Sequence, residues 1–209
     1  MNPTQLRSET LRRFDQWRLK PNLHLPLLES ESELRPKSAA AVAARAVAAS
    51  SVAAVCFGAP ASRVRSDLQR FELWEHLSTE EQEFMTEVDA SDQSAGVHSW
   101  LVESIQVMAW ALNLVNLEHL APCTDALASH FPRGGAEPRR FIAAARLRPL
   151  HELLQEADTL YMLHWSAVEG NLTRTPDPRV VLPRVSYRRH AADWLIGTAD
   201  AWEDVPLDT

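Results

Sequence analysis

The sequence predicts an all-α protein. The expected architecture is a single-domain helical bundle with an extended N-terminal strap, and it allows one short β-ribbon. Hydrophobic residues make up 45% of the 209 residues and charged residues 23%, a balance typical of a globular chain with one core. Apolar side chains recur mainly at the three- and four-residue spacing of a helix. Prolines and glycines separate these segments and so predict where the helices begin and end.

One compact domain is expected, in which residues 1–33 form an N-terminal helix and a strap and residues 34–209 form the helical domain. Leu11 and Phe14 have helical spacing and predict the first helix. Residues 22–28 alternate leucine with other residues and contain a proline, which disfavours a helix. This segment is therefore predicted to lie extended over the core.

A long Ala-rich helix is predicted next, with Pro36 at its first position and Gly58 at its end. Its small side chains allow close approach, which predicts a central position against an apolar helix at 100–115. Ser78 and Glu81 have the spacing of a capping box at the start of a further helix. The other predicted helices cover residues 62–77, 78–88, 122–131, 139–147, 149–168 and 187–196, with a polar loop at 89–96 and a short strand at 180–182.

Residues 39–58 are nearly uncharged and about as long as a membrane span. They consist of weakly apolar Ala, Ser and Val, and they include Arg45, whose charge opposes insertion. The first thirty residues contain no apolar core of a secretory signal. We therefore expect a cytoplasmic protein that does not bind a membrane, with residues 39–58 as a buried helix.

Cys56 and Cys123 lie in no CxxC motif and in no Cys/His cluster, which argues against a zinc site. In a reducing compartment, two free thiols are favoured over a disulfide. His151 and His164 are thirteen residues apart on one predicted helix, so they point about 220° apart and cannot share a metal. The sequence thus predicts no metal and no cofactor.

Four segments carry motifs in a recognisable order and spacing. They are Leu34-Arg35 with Ala43–Ala46, then Ser99–Glu103 with Trp110–Leu112, then Arg146–Arg148 with Glu152, Asp158, Tyr161 and His164-Trp165, and finally Arg189, Ala191 and Trp194-Leu195 with Trp202–Val205 and Asp208-Thr209. From about Arg7 onward, the chain resembles the bacterial family named domain of unknown function 4272. The resemblance implies the fold and the boundaries, and it implies no activity. The chain departs from the family's pattern at Leu101, where Arg is usual, at Asn113, where Gly is usual, and at Arg188-Arg189, where Glu-Arg is usual.

Glu103 is a candidate catalytic residue, because it lies on an otherwise apolar helix face where an unpaired carboxylate is costly. One interpretation makes it the general base of an active site. The favoured interpretation makes it one half of a structural ion pair. Its candidate partners, which are also candidate binding residues, are Arg45, Arg146, Arg148 and Arg189.

His164 and Asp158 are the other candidate catalytic residues. His164 could form an acid/base pair with Glu103 or Asp158. Beside Trp165, however, a histidine is more often a hydrogen-bonded packing residue, and this interpretation is favoured. Asp158, on the same long helix, is interpreted as the partner of an arginine or as the cap of a neighbouring helix.

The C-terminal segment Trp202–Val205 mixes aromatic and acidic residues after the last helix. Its favoured role is to fold back over the core. The alternative places Trp202 and Asp204 in a partner-binding surface.

The favoured function is a non-enzymatic protein-binding module, because the chain has no nucleophile elbow, no phosphate loop and no dinucleotide-binding motif. The net charge of −7 favours a basic partner, as for an immunity- or antitoxin-type protein that masks a basic toxin. One alternative is a hydrolase or transferase that uses Glu103, His164 and an arginine between helices. Another is a structural subunit of a homo-oligomer, so the expected partner is another protein or a second copy of the chain.

We predict that the chain does not bind nucleic acid specifically, because it is acidic and has no run of Lys or Arg. A gel-shift titration with duplex DNA and with RNA checks this prediction. Salt-dependent binding at sub-micromolar protein would contradict it.

Overall fold

The computed structural model describes residues 2–29, 32–87, 95–133 and 135–208. Within these ranges every regular element is helical, which confirms the all-α class, and two short 3₁₀ turns occur at Trp74–His76 and Leu127–His130. The helices are α1 (Pro3–Trp17), α2 (Ala39–Cys56), α3 (Ala61–Arg70), α4 (Thr79–Glu87), α5 (Ala95–His98), α6 (Leu101–Ala111), α7 (Arg139–Ala144), α8 (Leu150–Leu172) and α9 (Leu182–Ile196). The strand predicted at 180–182 is wrong, because Leu182 already begins α9.

Contacts divide the chain into two compact units. Unit 1 comprises Met1–Lys37, His119–Pro122 and Arg148–Thr209, and unit 2 comprises Ser38–Glu118 and Cys123–Leu147. Each unit thus combines segments that are distant in sequence, and the N-terminal segment belongs with the last two helices. The expectation of one compact domain stays a prediction.

In unit 1, α1 and α9 both pack against the long helix α8. The start of α1 is a capping box, in which the Asn2 side chain accepts from the backbone N–H of Gln5 at 2.9 Å and the Gln5 side chain accepts from the N–H of Asn2 at 3.2 Å. Leu6 and Phe14 of this helix are buried. They provide the apolar face of α1.

The segment after α1 is not helical, as predicted, but it is not extended throughout, because residues 23–25 form a turn and a bend. The leucine alternation predicted that Leu23, Leu25 and Leu27 share one buried face, and this is wrong. Leu25 is buried, whereas Leu23 and Leu27 are exposed. The guanidinium of Arg7 donates to the carbonyl oxygens of Leu25 and Pro26 at 2.8 and 2.7 Å. These two hydrogen bonds hold the strap against α1. They matter because a segment that contains proline makes few backbone hydrogen bonds of its own.

In unit 2, α2 begins at Ala39, three residues later than the predicted first position Pro36. Its N-cap is Ser38, whose hydroxyl accepts from the N–H of Ala41 at 3.2 Å. Residues 42–49 are buried without a break, and α2 packs against α6 as expected. By length and composition alone, α2 could cross a membrane. A buried core helix passes the same test, and more than half of α2 is buried within the protein.

Several helices are shorter than predicted, and two of them end at a residue that adopts the left-handed conformation. Asn113 has a φ of 62° and ends the helix predicted at 100–115, and Glu72 has a φ of 59° and ends the one predicted at 62–77. The helix predicted at 122–131 is only the 3₁₀ turn near its end, and the one at 139–147 stops at Ala144. Of the loop predicted at 89–96, residues 89–94 lie outside the described residues and the last two begin α5.

Two helices of unit 1 are longer than predicted. α8 continues through Gly170, which does not cap it, and α9 begins five residues before the expected position 187. A Cβ at position 170 would lie 2.9 Å from the Cα of Pro176, so the following loop packs directly on this turn of α8. Gly197 ends α9 as predicted, with a φ of 84°.

Close packing of α2 leads to a stability prediction. Ala46 and Ala49 are fully buried, so Ala46→Leu or Ala49→Leu should overpack unit 2 and lower the free energy of unfolding by about 1–3 kcal/mol. Urea denaturation measures the change. Ala54→Leu, at an exposed position of the same helix, is the control and should change it little. Equal effects at buried and exposed positions would contradict close packing.

Candidate functional site

Unit 2 contains an open cavity of about 750 Å³. The C-terminal half of α2, helix α3, the start of α6 and the segment 123–138 line it, and most of the lining side chains are apolar. Phe57, which follows α2, lies at the cavity and is 70% exposed. Cavities of this size and character are typical of ligand and partner sites.

The wall of the cavity carries two charges of each sign. They are the side chains of Arg63, Asp67, Asp125 and Arg133. The Arg133 guanidinium donates to the Ala128 carbonyl, and a Cβ at Gly135 would lie 3.3 Å from Oδ2 of Asp67. The charges of the wall therefore balance in number, and Gly135 packs tightly on Asp67 of α3.

Unit 2 is strongly acidic outside the cavity wall. It holds 13 Asp and Glu against 8 Lys and Arg, a formal charge of −5. The chain has no Lys or Arg between Arg70 and Arg133. The exposed acids of this stretch include Glu72, Glu75, Glu80, Glu83 and Glu87. Sequence reasoning missed this asymmetry because the total charge conceals it.

Glu103 lies in unit 2 on α6 and is only 2% exposed. Its Oε1 accepts from the backbone N–H of Cys123 at 3.3 Å. The carboxylate therefore ties the 123–138 segment to α6. It does not belong to the cavity wall, although its neighbours Val102 and Ile105 do.

Arg45, a candidate partner of Glu103, forms a buried pair with Glu81. Its two terminal nitrogens donate to the two Glu81 oxygens at 2.8 and 2.7 Å. Glu81 also accepts from the N–H of Ser78 at 2.9 Å, and the Ser78 hydroxyl accepts from the N–H of Glu81 at 3.2 Å. The predicted capping box is confirmed, and it also orients the carboxylate that binds Arg45.

The other candidate arginines also have identified partners. Arg148 pairs with Glu152 at 3.2 Å in unit 1, and Arg146 donates to the carbonyl of Ala145. Arg188, which was not among the candidates, is fully buried and donates to the carbonyl oxygens of His119 and Ala121 at 3.1 and 2.8 Å.

Asp158, in unit 1, binds an arginine, as the favoured interpretation had it. The Arg7 guanidinium donates to both of its oxygens at 2.9 to 3.2 Å, and the Thr10 hydroxyl donates to Oδ2 at 2.5 Å. Asp158 is 1% exposed. The carboxylate is therefore held by α1, with no solvent-facing position for chemistry.

A second buried carboxylate on α8, Glu156, was missed by sequence reasoning. It binds Arg13 at 3.0 Å and Nε2 of His119 at 2.7 Å. Burial acts to raise the pKa of Glu156, but His119 and Arg13 outweigh it and lower that pKa. The available signal was the three-residue spacing of Arg7, Thr10 and Arg13, which places a polar stripe on α1.

His164 forms part of a buried polar cluster with Arg189 and Asp193. Nδ1 of His164 accepts from Arg189 at 2.8 Å, since a guanidinium can only donate, and Arg189 also binds Asp193 at 3.1 Å. Burial, and then Arg189, lower the pKa of His164 to about 4. Burial raises the pKa of Asp193 to about 7 against the attraction of Arg189.

The C-terminal tail folds back over α9, as favoured. Trp202 stacks on His190 with ring centroids 4.5 Å apart and meets Trp194 edge-on at 5.5 Å. Val205 is buried, whereas Asp204 is exposed. Trp202 thus packs within unit 1, and Asp204 remains at the surface.

The two cysteines are free and half-buried, and burial raises the pKa of the Cys56 thiol to about 11. Among the described residues, no group of three or more His, Cys, Asp or Glu side chains is arranged to hold a metal ion.

The family described as "Domain of unknown function (DUF4272)" matches residues 6–205 of the chain, which confirms the resemblance seen in the motifs. No curated protein and no solved structure matches.

The buried His164 cluster predicts an unusual pH dependence of stability. Between about pH 4 and 6.5 the unfolded chain binds an extra proton at His164, because its native pKa is lowered, so this group makes stability rise with pH. Over the same range the native chain keeps an extra proton on Asp193, because its pKa is raised, so this group makes stability fall with pH. The two slopes, each up to about 1.4 kcal/mol per pH unit, should nearly cancel.

Single substitutions should reveal the separate contributions of His164 and Asp193 to the pH dependence of the free energy of unfolding. Relative to the unsubstituted protein, Asp193→Asn should gain stability as pH rises from 4.5 to 6, and His164→Asn should lose it. Urea denaturation at several pH values measures both. Parallel pH profiles for all three proteins would contradict the opposed titrations.

Proposed function

Because the chain belongs to the family described as a domain of unknown function (DUF4272), whose description assigns no activity, we propose from its geometry that it is a non-enzymatic protein-binding module. The observation that carries the proposal is the open, mainly apolar cavity of about 750 Å³ in unit 2. Exposed aromatic side chains such as Phe57 are enriched at the cores of protein interfaces.

The candidate catalytic residues support binding over catalysis. Glu103, Asp158 and His164 are at most 5% exposed, and each has a hydrogen-bonded partner within its own unit. A general base needs access to the proton that it abstracts. Buried carboxylates and imidazoles with satisfied hydrogen bonds are instead the normal components of structural networks.

The charge of the chain favours a basic partner. Unit 2, which holds the cavity, contributes −5 of the total −7. An acidic surface speeds encounter with a basic protein and discriminates against acidic ones. Within the protein-binding class we favour an immunity- or antitoxin-type role in the bacterial cytoplasm, in which the chain masks a basic surface.

Phe57→Ala tests the proposal against a matched control. Phe57 is 70% exposed and lines the cavity, whereas Leu172 is 75% exposed and lies in unit 1. Both alanine variants should change the free energy of unfolding by less than about 0.5 kcal/mol. Only Phe57→Ala should weaken partner binding, by about 2 kcal/mol if Phe57 is a hot spot.

The partner for this test is captured from the native host with the unsubstituted chain, identified, purified and titrated calorimetrically against each variant. Equal affinities of the Phe57→Ala and Leu172→Ala variants would remove the cavity from the interface.

A further inference from the structure

We infer that the unit 2 cavity receives a basic amphipathic segment of the partner, whose large apolar side chains enter the cavity while flanking Lys and Arg side chains meet the acids beside it. This inference rests on the proposed function and adds the chemistry of the occupant. It follows from the size of the cavity, the composition of its wall and the charge next to it.

The apolar part of the occupant follows from the cavity itself. Cavities of roughly 300–1,000 Å³ hold whole drug-sized molecules, so a single inserted side chain would leave this one largely empty. Its wall includes Val47 and Ala54 from α2, Leu68 from α3 and Phe131 from the 123–138 segment. Surfaces of this kind take several apolar anchors of one segment, spaced along a helix or a strand.

The basic part follows from the charges at the edge of the cavity. Phe71 and Leu73 belong to the wall, and Glu72 lies between them, exposed and in the left-handed conformation. The N–H of Leu73 donates to the Leu68 carbonyl at 2.8 Å, which fixes this turn against α3. Glu75, two residues later, is also exposed. Glu72 and Glu75 therefore place two exposed carboxylates on the turn after α3, where the one neighbouring cation in sequence is Arg70, whose guanidinium lies over the Phe71 ring at 5.1 Å.

The arginines of the wall do not reverse this preference. Arg63 and Arg133 are matched in number by Asp67 and Asp125, so the wall carries no net charge. Arg70, which lies over Phe71, offsets one of the nearby acids. Glu72, Glu75 and the exposed acids of α4 outnumber it, and no further Lys or Arg occurs before Arg133. An acidic segment would meet repulsion, and a basic one would meet attraction.

The test selects peptides from a random 12-residue library displayed on phage, using the immobilised full chain. Ala54→Trp serves for counter-selection, because Ala54 lines the cavity at an exposed position where a large side chain fills space without entering the core. Circular dichroism melts verify that the variant folds. The expected winners carry two or more large apolar residues and an excess of Lys and Arg.

Charge reversal then tests the role of the flanking acids on synthetic copies of the winners. Glu72→Lys with Glu75→Lys should weaken binding about tenfold in fluorescence anisotropy, and added salt should weaken the unsubstituted complex. The control is Asp200→Lys with Asp204→Lys, the same charge change on the exposed tail of unit 1, which should leave affinity within about twofold.

The remaining outcomes separate the two proposals. Winners that are neutral or acidic, yet are lost with Ala54→Trp, overturn the basic segment and leave the protein-binding proposal standing. A second outcome is that no peptide binds the unsubstituted chain better than Ala54→Trp, but the apolar dye 1-anilinonaphthalene-8-sulfonate does. In that case the cavity holds small molecules, and both proposals fall. If neither peptide nor dye discriminates, both fall as well.

Discussion

Buried carboxylates that require an arginine partner constrain this chain more than any other feature. Removing water from a carboxylate costs several kcal/mol, and only a well-placed cation with further hydrogen bonds offsets that cost. Three of the ion pairs join two elements and so fix the position of one against the other. The fourth, Arg189–Asp193, lies within α9. The pairs are Arg7–Asp158, Arg13–Glu156, Arg45–Glu81 and Arg189–Asp193. Apolar packing alone would tolerate sliding along the Ala-rich and Leu-rich faces, whereas these pairs permit one alignment.

Helical periodicity predicted most of the fold, because it depends on local spacing. The capping box at Ser78, the buried helix α2 and the glycine that ends α9 are local signals, and all are present. The errors lie where one residue takes a backbone conformation that composition does not reveal. Asn113 and Glu72 end helices by adopting a positive φ. Asn is a common residue at such a position, so Asn113 carried a signal that was not used, whereas Glu72 carried none.

The partners of the polar residues were less predictable than the helices. Spacing placed Glu103 on an apolar helix face and an arginine partner was favoured for Asp158, but spacing could not select among many arginines. Arg45 is bound by Glu81, only 36 positions away, and Asp158 by Arg7, 151 positions away. The cavity was not predicted at all, because it arises where α2, α3, the start of α6 and a segment with only one 3₁₀ turn leave space between them. Such a cavity depends on how the elements pack in three dimensions, and it produces no periodic pattern in the sequence.

The pairing of α1 with α8 has a consequence for synthesis on the ribosome. At about 5–20 residues per second, the 151 positions between Arg7 and Asp158 take about 8–30 s to translate. Every residue of unit 2 precedes Leu150, the start of α8, in the order of synthesis, so unit 2 can emerge and close first. During that interval Leu6 and Phe14 have no α8 to bury them. In the growing chain α1 therefore displays its apolar face for many seconds, a surface on which a chaperone can act.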